Sequence, residues 1–138
     1  MKRAITYLNF DGTCREAMTF YGSCLGATPN LTPFSAGPAE LPAVVKTTPD
    51  RILHAELASG PEILMASDIL PGMPFKLGNN FSICIDCETQ PEMERLFNAL
   101  GENGQVIMPL HDAFWGGRLG MLTDQFGINW MFSFRATD

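Results

Sequence analysis

No part of this sequence approaches the ~20 consecutive apolar residues that a membrane helix requires. Basic residues are also scarce. Nine Lys and Arg stand against fifteen Asp and Glu, scattered rather than clustered, and the net charge is −6. Binding to nucleic acid needs a basic face that displaces counterions from phosphate, so that class of partner is excluded. No export signal is legible either. Met1-Lys2-Arg3 opens like one, but polar Asn9, Asp11 and Gly12 arrive before any useful apolar stretch. The four cysteines, Cys14, Cys24, Cys84 and Cys87, are therefore read as reduced and mostly buried thiols in a cytoplasmic protein. A complete catalytic constellation is missing from the whole chain.

What is present begins with size. At 138 residues, 46% hydrophobic and 17% charged, the chain is long enough to bury a core as a single domain, 1–138. That domain repeats itself. Ile5–Phe10, a β-rich run, leads to Thr13-Cys14-Arg15-Glu16 and then to apolar Ala17, Phe20, Tyr21 and Cys24. Phe81–Asp86 leads in the same way to Thr89-Gln90-Pro91-Glu92 and then to Met93, Leu96, Phe97 and Leu100, each landmark 76 residues further on. Thr-x-x-Glu is a capping box, in which hydroxyl and carboxylate satisfy free amides at a helix start. The apolar spacing that follows makes one buried helical stripe, and Gly26 and Gly101 end the helices.

Strands fill the remainder: runs near Ala27–Thr32, Ile52–Ser59 and Glu62–Ser67 in the first half, and Gln105–Met108, Arg118–Thr123 and Ile128–Phe134 in the second. The order is β-α-β-β-β twice, with module 1 at about 1–68, a linker at about 69–78 and module 2 at about 79–138. Alternation assigns Leu53, Ala55 and Leu57, Ile83 and Ile85, and Trp130 and Phe132 to the faces packed under helices. His54, Glu56, Cys84, Asp86 and Met131 then lie on mixed, ligand-facing surfaces. The class is α+β, with the two modules forming a cupped mixed sheet and the helices on its convex side. The Pro/Gly-rich stretch Phe34–Asp50 reads as a long loop able to act as an arm or lid.

The C-terminal run from Met108 through His111-Asp112-Ala113-Phe114-Trp115-Gly116-Gly117-Arg118 resembles the PhnB-like branch of the vicinal-oxygen-chelate (glyoxalase/bleomycin-resistance/dioxygenase) superfamily. Tyr7–Gly12, His54–Leu57, Leu64–Asp68, Gly120–Gly127 and Trp130-Met131 are similar to it too. The resemblance covers nearly the whole chain and implies the glyoxalase/bleomycin-resistance fold and a homodimer. Metal-using members place His, Gln or Glu on the first and fourth strands of each half, around a divalent Lewis acid. Carried over by spacing, those positions are Thr6, Met65, Ser82 and Met131. Hydroxyls and thioethers do not make the usual shell for Ni, Zn, Mn or Fe, so no metal or other cofactor is expected.

The remaining candidates keep two readings each. His54 and Glu56 share a strand face and suit a general base with its orienting carboxylate, or an ordinary interface contact. Trp115, among glycines, suits a rim that stacks on a ligand. Arg118 is placed to pair with an anion or with Asp112, and His111-Asp112 to gate a pocket or to serve structure alone. Cys84 and Cys87, if on a strand, point to opposite faces and read as structural thiols. Met65 and Met131 suit an adaptable apolar lining.

The expected ligand cup thus comprises Thr6, His54, Met65, Ser82, Trp115 and Met131. The expected function is binding, without metal, of a small molecule, cationic or aromatic as the acidic balance favours. Two alternatives stand beside it: a metal-dependent lyase or isomerase of glyoxalase type, and a structural or regulatory dimer without ligand. Methyl transfer is set aside, because no Gly-rich strand-loop-helix that would hold S-adenosylmethionine is visible. A phosphonate ligand lacks any Lys/Arg cluster to meet it.

Overall fold

The computed structural model describes residues 1–136, with Glu62 described by its backbone alone. Contacts divide the chain into two compact units, Met1–Lys76 and Leu77–Asp138. The first holds β1 (Thr6–Phe10), α1 (Cys14–Leu25), β2 (Asn30–Pro33), β3 (Ile52–Ser59) and β4 (Glu62–Asp68). The second holds β5 (Ile83–Cys87), α2 (Gln90–Leu100), β6 (Gln105–Asp112), β7 (Arg118–Thr123) and β8 (Asn129–Phe134). The sheets are four-stranded and mixed, ordered β1-β4-β3-β2 and β5-β8-β7-β6. In each, the first strand runs parallel to the fourth and the remaining pairs are antiparallel.

In the first unit α1 packs on β3 and β4. The face it covers carries Leu8 and Phe10 of β1, Ala55 and Leu57 of β3, and Leu64 and Ala66 of β4, all buried. From the helix side come Cys14, Ala17, Met18, Tyr21 and Cys24. Phe20, expected in that stripe, is only half-buried, and Met18 takes its place in the core. In the second unit α2 packs on β8 and β5, burying Met93, Leu96, Phe97 and Leu100 beside Trp130 and Phe132. Phe97 meets Phe132 edge-on at 5.3 Å between ring centroids, a favoured aromatic geometry.

The two helix starts look alike in sequence and are built differently. Thr89 accepts from the Glu92 amide at 3.2 Å, and Glu92 reaches back to the Glu88 amide at 3.0 Å, a working capping box. Thr13 makes no side-chain cap. The buried carboxylate of Asp68 does that work instead: Oδ1 accepts from Gly12 N at 2.8 Å and Cys14 N at 3.1 Å, and Oδ2 from Ile52 N at 2.8 Å. One residue at the end of β4 thereby fixes the start of α1 and the start of β3. Asp124 has the matching task at the β7–β8 turn, accepting from the Phe126 and Ile128 amides and, at 2.8 Å, from the indole of buried Trp130.

The turns that precede these helices differ by one residue. Asp11 and Gly12 separate Phe10 from Thr13, whereas Glu88 alone separates Cys87 from Thr89. Gly12 has φ +96°, a conformation that suits glycine. The helices therefore repeat at 76 residues, but the helix-facing strand positions, Thr6-Leu8-Phe10 and Ile83-Ile85-Cys87, repeat at 77.

Residues 34–50 are a compact loop rather than an extended arm. Its ends are joined by Phe34 N to Arg51 O at 2.7 Å and Ser35 N to Pro49 O at 3.1 Å. Two short 3-10 turns, Phe34–Ala36 and Ala43–Thr47, contribute buried Phe34 and Val45.

Candidate functional site

Opposite its helix, the first sheet presents an open face. Cross-strand pairing sets Tyr7 beside Met65, Asn9 beside Ser67, Glu56 beside Met65, and His54 beside Thr32. His54, Glu56, Met65 and Ser67 are half-buried, and Tyr7 is 46% exposed. The Tyr7 hydroxyl lies 3.5 Å from His54 Nδ1, a long contact, and the two rings are 6.0 Å apart. The face thus combines a phenol, an imidazole, a carboxylate and a thioether. Arg51 sits at the edge of this region, engaged with Asp11 at 2.9 Å and with the Ile69 carbonyl at 3.0 Å.

Of the residues expected here, His54, Glu56 and Met65 are brought together. Thr6 is not: it pairs with Leu64 on the helix side. The repeat of 76 taken from the helix caps put β1 one residue out of register, and a one-residue slip turns every side chain over. Tyr7 and Asn9 escape the spacing for the same reason, while Ser67 shares the face of Met65 on β4. The signal that finds Tyr7 and Asn9 is the extra residue in the Asp11-Gly12 turn.

In the second sheet Cys84, Asp86, Met121, Met131 and Ser133 share the face opposite α2. Ser82 lies before β5, and Cys84 is the residue paired with Met131. Cys84 is exposed, contrary to the expectation of buried thiols, while Cys14, Cys24 and Cys87 are buried. Burial raises the thiol pKa of Cys14, Cys84 and Cys87: Cys14 to about 12 with help from Asp68, Cys87 to about 11 with help from Glu92 and Asp86, and Cys84 with help from Asp86. These are neutral thiols at pH 7 and therefore poor nucleophiles.

Trp115 is not a free rim residue. Its ring lies against the backbone of Gly117, where a Cβ would collide with it. Arg135 stacks over the ring at 5.1 Å and donates to the Trp115 carbonyl at 3.1 Å. Neighbouring Phe114 is fully exposed at the hairpin tip. His111, next to last in β6, is exposed and donates Nδ1–H to the Pro109 carbonyl at 2.9 Å. Arg118 pairs with both Asp112 and Glu94, at 3.5 and 3.4 Å.

The superfamily's divalent ion does not fit these residues. Met65 and Met131 offer thioethers, Cys84 a neutral thiol, and Thr6 faces the core. Among the described residues no group of three or more His, Cys, Asp or Glu converges as a metal site.

Against known proteins, residues 2–133 match the model of a family described as 3-demethylubiquinone-9 3-methyltransferase. The chain belongs to this family. It is a member of the PhnB-like branch of the vicinal-oxygen-chelate superfamily, and its fold is the glyoxalase/bleomycin-resistance fold. The crystal structure of protein PA1353 from Pseudomonas aeruginosa is 40% identical, covers 98% of each chain and superposes with a TM-score of 0.85. A PhnB protein from Bacillus cereus is 24% identical over 96% of this chain and 99% of its own, with a TM-score of 0.78, a likeness of fold. Protein YjdN of Escherichia coli K12 is 29% identical over 135 residues, 91% of this chain and 90% of its own. The family description names a methyl transfer. In this PhnB-like chain, amides at both helix starts are already held by Asp68 or by Thr89 and Glu92.

Proposed function

We propose that this PhnB-like chain binds a small cationic aromatic molecule on the open face of its first sheet, without a metal. The observation that carries the reading is the grouping of Tyr7, His54, Glu56 and Met65. Tyr7 supplies a π face, Glu56 a counter-charge, and Met65 an adaptable apolar contact. The acidic balance of the whole chain draws a cation in the same direction. A homodimer and a cytoplasmic setting belong to the same proposal, by analogy with the branch.

The test is a thermal-shift screen of the purified protein with cationic aromatics, divalent metals, EDTA and α-oxoaldehyde adducts. A ligand of the native state stabilises it by RT ln(1 + [L]/Kd). The expected result is a shift with organic cations alone, weakened about fivefold in affinity by Glu56→Gln, the scale of a partly exposed charge pair. A metal-driven shift reversed by EDTA would overturn the reading in favour of a metalloenzyme. An unshifted melting point throughout would leave the dimer without ligand as the better account.

A further inference from the structure

The compact loop 34–50 borders a half-open surface pocket of about 360 Å³, lined by Phe34, Leu41, Pro42, Val45, Lys46 and Pro49 among others, with Pro42, Lys46 and Pro49 exposed at its rim. Its residues are separate from the Tyr7–Glu56 group. The volume falls in the lower part of the range of small-molecule sites, ~300–1,000 Å³. The architecture holds it open: Gly37 N, Leu41 N, Val45 N and Thr48 N each bond within the loop, and the loop's ends are tied together. Four of its lining residues, Pro38, Pro42, Pro49 and Gly37, leave few side-chain rotors to fill the space. Phe34 and Val45 are buried and supply an apolar floor. Among the described residues Lys46 is the one ionisable group of the lining. Next to Pro49 in the chain, the Thr48 hydroxyl is buried without a hydrogen-bond partner among the described residues.

We propose that this loop is a second binding site, taking a small carboxylate with an apolar tail. The tail lies against Phe34, Leu41 and Val45, and the carboxylate meets the Lys46 ammonium. The polarity is the reverse of that proposed for the open sheet face, so one class of ligand does not serve both sites.

The experiment is calorimetric titration of the full chain with octanoate, and with 1-octanol as the uncharged probe. Saturable one-to-one binding of octanoate is expected. Lys46→Gln weakens octanoate about threefold to fivefold, the scale of an exposed or partly exposed charge contact, and leaves 1-octanol unchanged. Ala39→Trp, which fills the pocket, removes both, with circular dichroism confirming that the variant is folded. If Ala39→Trp proves unfolded, Leu41→Asp tests the apolar wall with the same readout. Absence of saturable octanoate binding to the native protein overturns the proposal, and so does equal affinity in the native chain and in folded pocket variants.

Discussion

At the scale of the residue, two buried carboxylates each hold several hydrogen-bond donors. Asp68 holds three backbone amides and Asp124 two amides and an indole. Removing an acceptor leaves buried donors unpaired, at a cost of about 1–3 kcal/mol each. Asp68→Ala is therefore expected to lose about 3 kcal/mol or more in urea unfolding, and a loss below 1 kcal/mol would show that water replaces the carboxylate. The thiols give a second expectation. The folded pKa values of Cys14 and Cys87, about 12 and about 11, lie above the ordinary 9.0. The native state thus keeps its thiol protons where the unfolded chain has begun to lose them. The stability this contributes is whole below pH ~9 and is lost as pH rises through the folded values. Unfolding midpoints measured from pH 8 to 11.5 should fall, and the fall should be shallower in Cys14→Ala than in the native chain once their pH 8 values are aligned.

At the scale of the element, the two Thr-x-x-Glu sequences predict one cap each, and only the second forms. Thr89→Ala is expected to cost about 1 kcal/mol, the usual worth of a side-chain cap, and Thr13→Ala less than about 0.5 kcal/mol, as for an exposed site without a special contact. Denaturant midpoints of the two variants decide it, and equal losses would contradict the assignment of the first cap to Asp68. The same comparison shows what was legible in sequence. The sequence of elements along the chain, both helices and the helix-facing sides of β3, β5 and β8 follow from alternation and helical spacing, because burial enforces those patterns locally. The register of β1 does not. It depends on a glycine turn whose extra residue is absorbed without disturbing the apolar pattern, so Thr6 was placed where Tyr7 stands. Long-range partners were equally hidden: nothing local in Asp68 announces that it caps a helix 54 residues away, nor does Trp115 announce Arg135 on its ring. His54 and Glu56 are legible because they lie on a strand whose alternation is unbroken, and Met65 follows from the spacing that the family resemblance implies.

At the scale of the molecule, charge is the property that reaches furthest. A net charge of −6 is felt by an approaching cation over roughly a Debye length, about 8 Å at physiological ionic strength. Association of a cationic ligand with the open face should slow as salt is raised, while octanoate binding in the loop should quicken. Stopped-flow rates at 20 and 300 mM NaCl test both, and identical salt dependences would mean that the two ligands enter by one route.

The extra residue between β1 and α1 has a meaning at the level of the gene. One codon, that of Gly12, separates the turns of the two halves, and a strand reads out its side chains two by two. Insertion or loss of a single codon in such a turn exchanges the complete set presented on one side of a strand for the set behind it, with the helix left in place and the former outer set turned toward the core. A lineage of repeated halves can thereby acquire a new chemical lining in one step, where point substitution would need a change at every second position.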